Sequence, residues 1–217
     1  SHGPQGHSFS YLRAGSAASR LSPGNVPLVR VRAARYFHTS GITQAISDGA
    51  CDAAFSAMEA AREAGVQVVY DANLRLRLWP AARARAVIAA AMAMSDVFLL
   101  SSDEAQILCD QSQPERILGW CQRQGAQRVA LKLGKDGVIG WDGQRRAHIP
   151  AHRVEAVDAT GAGDCFAGAL MARLAAGDDF WRALRYANAA AALTTTGYGA
   201  VAPLPTHEAV ERLLAER

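Results

Sequence analysis

Short, unbroken apolar runs alternate with stretches of helical punctuation, and this alternation constrains the fold of the 217-residue chain more than any other feature. Val66 to Tyr70 (VQVVY), Asp96 to Leu100 (DVFLL) and Arg128 to Leu133 (RVALKL) have the texture of strands buried on both faces. Arg35 to Thr39 reads as an earlier short strand. A helix is expected from Ser47 or Asp48, whose side chains can cap it, to a stop at Gly65. Further helices are expected over Ala81 to Met94 behind Pro80, from about Asp103, and from about Pro114 to Gln124. Repeated β-α units predict an α/β fold: a mostly parallel sheet with helices on both faces. The pattern changes after the third run. Gly134-Lys135-Asp136-Gly137 is a tight turn into Val138 to Trp141, and Asp142-Gly143 signals a hairpin. Two Ala-rich helices are expected over Asp164 to Ala176 and about Phe180 to Thr196, with Thr206 capping a last one.

Composition narrows the function classes. The net charge is +3 and the basic residues are dispersed, so neither a nucleic-acid nor a membrane partner is expected, although the mild positive bias suits an anionic small substrate. No apolar run reaches the roughly 18 residues of a spanning helix, and no signal-peptide pattern opens the chain, which makes the cytoplasm the expected location. Cys51, Cys109, Cys121 and Cys165 form no C-x-x-C pair and read as buried thiols in a reducing compartment. His38, His148 and His152 show no ligand spacing.

Chemistry concentrates in Val157 to Ala169, VDATGAGDCFAGA. The turn Gly161-Ala162-Gly163 opens directly into an apolar helix. Glycines permit close approach of the backbone to a ligand, and the free N–H groups of a helix's first turn, backed by its dipole, hold an anion such as phosphate. A carboxylate at Asp164 would repel that anion unless it acts as a base on a hydroxyl attacking the phosphoryl group. Taken alone, G-A-G-D is equally well a glycine turn with an acidic helix cap.

The longer segment Asp158 to Asp164 (DATGAGD) resembles the carboxyl-terminal signature of the ribokinase-like, or PfkB, family of carbohydrate kinases, with Ala159 where Thr or Pro is commoner. The resemblance extends over essentially the whole chain. It implies a ribokinase-like three-layer α/β/α sandwich, Asp164 as the base, and the amides of Gly161, Ala162 and Gly163 as the anion hole. ATP and Mg²⁺ are the implied cofactors, with a monovalent cation as a further candidate. Lys132, Gly134, Asp136 and Gly137 match the family's strand-turn-strand beside ATP, although alone they read as a plain β-turn. Asn188 falls where the family places an Asn near adenine, and Asn73 is assigned to the nucleotide side. Glu104 matches the end of an N-x-x-E motif that meets magnesium through water, with Ser101 replacing the Asn; a helix-starting acid is the alternative.

Two stretches bear on the sugar. Asp71 to Trp79 (DANLRLRLW) leaves the carboxyl edge of the sheet, where open α/β sheets bind ligands, and Arg75 can reach a carboxylate or phosphate there. This pattern resembles the 2-keto-3-deoxygluconate kinase branch. Tyr11 and Arg13, in YLRAGSAAS, resemble the lid strand of that branch, whereas without the resemblance they read as an exposed strand pair. A sugar acid gives Arg13 and Arg75 a shared task at its carboxylate, with transfer to the 6-hydroxyl.

Residues 1–30 are expected to form a lid strand and connecting loop, a remnant of a small β lid, and 31–217 the core with the ATP site. The family's opening strands and Gly-Gly-x-x-x-N segment have no counterpart here, so the chain reads as the later part of such a kinase. Homo-oligomers through lid strands are a further implication. The competing readings are a kinase of another sugar, fructose or 5-keto-2-deoxygluconate, and a non-catalytic nucleotide- or sugar-binding module.

Overall fold

The computed structural model describes residues 2–3, 6–7 and 15–216. Near the amino end, β1 (His2–Gly3) and β2 (Gly6–His7) pair antiparallel. The lid strand expected to carry Tyr11 and Arg13 lies outside the described residues.

The core alternates as the apolar runs require. In chain order come α1 (Leu28–Arg32), β3 (Tyr36–Ser40), α2 (Gly41–Ala45), α3 (Asp48–Glu63), β4 (Gln67–Asp71), α4 (Ala81–Ala93), β5 (Val97–Ser101), α5 (Ser102–Cys109) and α6 (Pro114–Arg123). The remainder comprises β6 (Val129–Lys132), β7 (Val138–Trp141), β8 (Arg146–Ile149), α7 (Ala162–Ala175), α8 (Phe180–Thr194) and α9 (His207–Ala215). The large sheet runs β3-β4-β5-β6-β7-β8, parallel through β6 and antiparallel thereafter. Caps fall where the side chains allow: Ser47 accepts from the Ala50 amide, Asp179 from those of Trp181 and Arg182, and Thr206 from that of Ala209.

The sheet separates two cores. Val68, Tyr70, Phe98, Leu100, Val129 and Leu131 face α3 to α6, while Val69, Val97, Leu99, Ala130, Val138 and Ile149 face α7 and α8. Each large aliphatic side chain buried in this way contributes roughly 1.5–3 kcal/mol relative to exposure. Three layers, α/β/α, result. Among the described residues no helix is long and apolar enough to cross a membrane.

Two short helices, α1 and α2, were not expected from the sequence, which places a helix only from Ser47 or Asp48 onward. The reason for α2 lies in Gly41. A Cβ there would come within 2.1 Å of the Ala72 carbonyl oxygen, so the chain can fold back against the end of β4 only with glycine.

Candidate active site

Helix α7 begins at the carboxyl edge of the sheet, and its first turn is set by Asp158. That buried carboxylate accepts from Thr160 N (2.9 Å) and Thr160 Oγ1 (2.7 Å) through Oδ1, and from Gly199 N (2.9 Å) through Oδ2. The glycine turn is thereby cinched to the loop after α8. Gly161 adopts φ 79°, and a Cβ on it would lie 2.8 Å from the Ala200 side chain, so both the conformation and the close packing require glycine.

The helix start offers donors. Ala162 N–H donates to Ala159 O at 3.2 Å, whereas no acceptor among the described residues meets the N–H groups of Gly163 and Asp164. Of the three amides assigned from sequence to an anion hole, Ala162 is thus already committed within its own turn, and the Asp164 amide is a donor that the sequence reading did not include. Asp164 itself is exposed.

Asn73, in the loop after β4, reaches this carboxylate: Nδ2 donates to Asp164 Oδ1 over a long 3.4 Å. Its backbone is left-handed, φ 34°, a conformation that Asn tolerates better than most residues. Asn73 Oδ1 is buried without a partner among the described residues. Exchanging the two amide atoms would set an oxygen against the Asp164 carboxylate, so the orientation is fixed by charge.

Beside them stands a pair that sequence reasoning missed. Lys132 Nζ, at the end of β6, bonds to Asp71 Oδ2 (2.9 Å) and Oδ1 (3.1 Å), at the end of β4. Asp71 Oδ1 also accepts from Asn73 N at 3.2 Å. The Asp71 side chain is 3% exposed and that of Lys132 16%. The ammonium lies 3.8 Å from where a Cβ on Gly163 would stand, so it faces the glycine turn at the start of α7. Both residues were in view in the sequence, Lys132 as a nucleotide contact and Asp71 within D-A-N-L-R, but strand order is needed to see that they meet across β5.

His38 was also passed over. It lies on β3, opposite Val69 and on the α7 side of the sheet. Burial lowers its pKa, Asp71 and Asp164 counteract this, and Lys132 adds to it. The ring keeps exposed surface yet stands within electrostatic reach of all three.

The other expected residues are distributed as follows. Arg75 is exposed at the same sheet edge and donates to the Leu74 carbonyl at 2.9 Å. Glu104 closes a capping box with Ser101: Oε2 accepts from Ser101 N (2.7 Å), and Oε1 from Leu74 N (2.8 Å) in the loop before Arg75. Each oxygen retains a lone pair for a water. Gly134, Lys135 and Asp136 form the 3-10 turn between β6 and β7, and Gly137 follows with φ 98° where a Cβ would strike the Ile149 carbonyl oxygen. Asn188 is 7% exposed and its Nδ2 donates to the Pro150 carbonyl at 2.9 Å, tying α8 to the exit of β8; this is a structural task that the sequence reading did not give it. Among the described residues no three His, Cys, Asp or Glu side chains gather as a metal-holding group.

The mostly parallel sheet thus carries at its carboxyl edge a glycine-turn helix start, a lysine and an exposed carboxylate, the edge at which open α/β sheets bind ligands. Residues 4–207 match the pfkB family carbohydrate kinase model, and the chain belongs to that family. It is 33% identical to fructokinase-2 of Zea mays over 96% of this chain and 64% of that protein. It is 36% identical to 2-dehydro-3-deoxygluconokinase of Thermoproteus tenax over 94% of this chain and 62% of that protein. The chain thus spans a little under two thirds of the length of these relatives. Among solved structures, aminoimidazole riboside kinase from Salmonella enterica, complexed with aminoimidazole riboside and an ATP analog, superposes with a TM-score of 0.85 at 29% identity, covering 95% of this chain and 71% of that one.

Proposed function

We propose that the protein to which this chain belongs transfers the terminal phosphoryl group of ATP to the 6-hydroxyl of a keto-deoxy sugar acid, 2-keto-3-deoxygluconate. The observation that carries the reading is the exposed Asp164 carboxylate, oriented by Asn73, beside the amides of Gly163 and Asp164, which meet no acceptor among the described residues. Asp164 takes the proton of the attacking hydroxyl as the new oxygen–phosphorus bond forms. The bond to the bridging oxygen breaks, ADP leaves, and negative charge on the phosphoryl oxygens is met by amides that need no reorganisation. Gly134, Asp136, Gly137 and Asn188 border the nucleotide in this reading.

Bound magnesium neutralises charge on the ATP phosphates. Glu104 suits a contact with its water shell, since both oxygens are anchored and each keeps an acceptor site. Arg75 supports an acid substrate, because a planar guanidinium at the sheet edge suits a carboxylate; Tyr11 and Arg13 complete this contact in the proposal. Free thiols and use of ATP fit a cytoplasmic setting.

The test is ADP release by the full gene product with ATP, Mg²⁺ and a panel containing 2-keto-3-deoxygluconate, fructose and 5-keto-2-deoxygluconate. Preferential turnover of the first is expected, and preference for a neutral sugar would remove the carboxylate role of Arg75. Asp164→Asn should lower kcat by about 10³-fold or more while nucleotide binding persists. An Asn variant of normal rate would remove Asp164 as the base.

A further inference from the structure

Asp71 and Lys132 form a largely buried ion pair, and such a pair is a poor source of stability, because desolvation offsets much of the Coulomb gain. Its position supplies another reason for it. The pair spans β4 to β6 at the carboxyl edge, and one Asp71 oxygen, Oδ1, accepts from both Lys132 Nζ and Asn73 N. Lys132 Nζ faces the Gly163 turn, and the Asn73 side chain holds Asp164. A single carboxylate thus fixes a cation on the phosphate side and an amide on the base side.

We propose that Asp71 is the positioning residue of the site: it holds the Lys132 ammonium where the terminal phosphate of ATP arrives at the start of α7. This rests on the kinase reading above and goes beyond it, since it assigns Lys132 to the transferred phosphate rather than to the nucleotide at large. Without Asp71, the ammonium has no anchor on the sheet and its long stem can swing toward water. Asp71→Asn isolates this role. The amide keeps a carbonyl oxygen to accept from Asn73 N, so the arm leading to Asp164 survives while the charge that holds Lys132 is lost.

The experiment compares Asp71→Asn, Lys132→Met and the double variant in the full gene product. Binding of a non-hydrolysable triphosphate analogue and of ADP is measured, together with steady-state rates on the sugar that the unmodified enzyme turns over. Each single variant is expected to bind the triphosphate analogue about tenfold more weakly and ADP within about threefold, the scale of one charge-assisted contact. Values of kcat/KM for ATP should fall about 10- to 100-fold with KM for the sugar within about threefold. The double variant should be no worse than about threefold below the weaker single, because Asp71 acts through Lys132.

Losses that multiply in the double variant, or equal weakening of ADP and the triphosphate analogue, would overturn the proposal in favour of a structural pair. Melting temperatures separate misfolding from function: removing one partner leaves a buried charge, and the double variant, which removes both, should recover much of any loss. If no sugar is turned over by the unmodified protein, the kinase reading fails by itself, while the selectivity for a terminal phosphate is still decided by the two binding measurements.

Discussion

Asp158 and Asp164 bracket the glycine turn and meet opposite environments. Asp158 is 3% exposed with both oxygens bonded to the turn and to Gly199, so it shapes the site, whereas Asp164 is exposed and touched only by the Asn73 amide among the contacts described above. The same residue type thereby serves as a clasp in one place and, in the proposed reaction, as the base in the other. His38 supplies a residue-scale prediction. Burial holds its pKa below the usual 6.5, so the folded protein takes up this proton less readily than the unfolded chain. Above about pH 6.5 both states are neutral and His38 has no effect; as pH falls below that, the unfolded state gains the proton and stability drops. Asp71 and Asp164 moderate the drop and Lys132 deepens it. Urea midpoints are expected to fall between about pH 7 and pH 5.5, with a flatter profile for His38→Gln. Parallel profiles for the two proteins would assign the acid sensitivity elsewhere.

At the scale of elements, α5 shows how a cap can act at a distance. Ser101 and Glu104 close the capping box, and the second Glu104 oxygen fastens the loop between Asn73 and Arg75. Glu104→Gln would turn a donor toward Ser101 N or Leu74 N, leaving two donors opposed. A loss of about 1–2 kcal/mol is expected in chemical denaturation, with KM for the sugar rising more than kcat falls as the Arg75 loop loosens. Unchanged KM with lowered stability would confine Glu104 to the cap.

Much at this scale was legible in the sequence. The apolar runs from Val66, Asp96 and Arg128 became β4, β5 and β6 within a residue or two of the expected ends, and Asp142-Gly143 joins β7 to β8. Capping residues mark ends locally, which is why Ser47 and Thr206 were readable. What escaped depends on tertiary contact. Helix α2 follows from Gly41 meeting the Ala72 backbone, and the Asp71–Lys132 pair from two strand ends separated by β5. Neither leaves a local signal. Asn188 is placed near adenine only by resemblance, and its bond to Pro150 has no sequence mark at all.

For the whole molecule, the strand order is strictly sequential, and right-handed crossovers between successive parallel strands therefore place α3 to α6 on one face. The opposite face is left to α7 and α8, which return over it after β8. Gly140 on β7 makes room for this return: a Cβ would lie 2.5 Å from Leu184 Cδ1 and 2.8 Å from the Trp181 ring. Gly140→Ala is expected to destabilise by about 1–3 kcal/mol through overpacking and to lower kcat as α7 shifts with α8. A neutral effect on denaturation would mean that the Trp181 ring moves aside freely.

The same order has a consequence for synthesis. A ribosome delivers the parallel strands and their helices first, and Val69, Val97, Leu99 and Ala130 then wait with one apolar face open until residues 162–194 have emerged. The segment that covers this face is the one that begins with the glycine turn and Asp164. Completion of the core and assembly of the candidate site are therefore one event, and a nascent chain halted before that segment is sticky and lacks the proposed base.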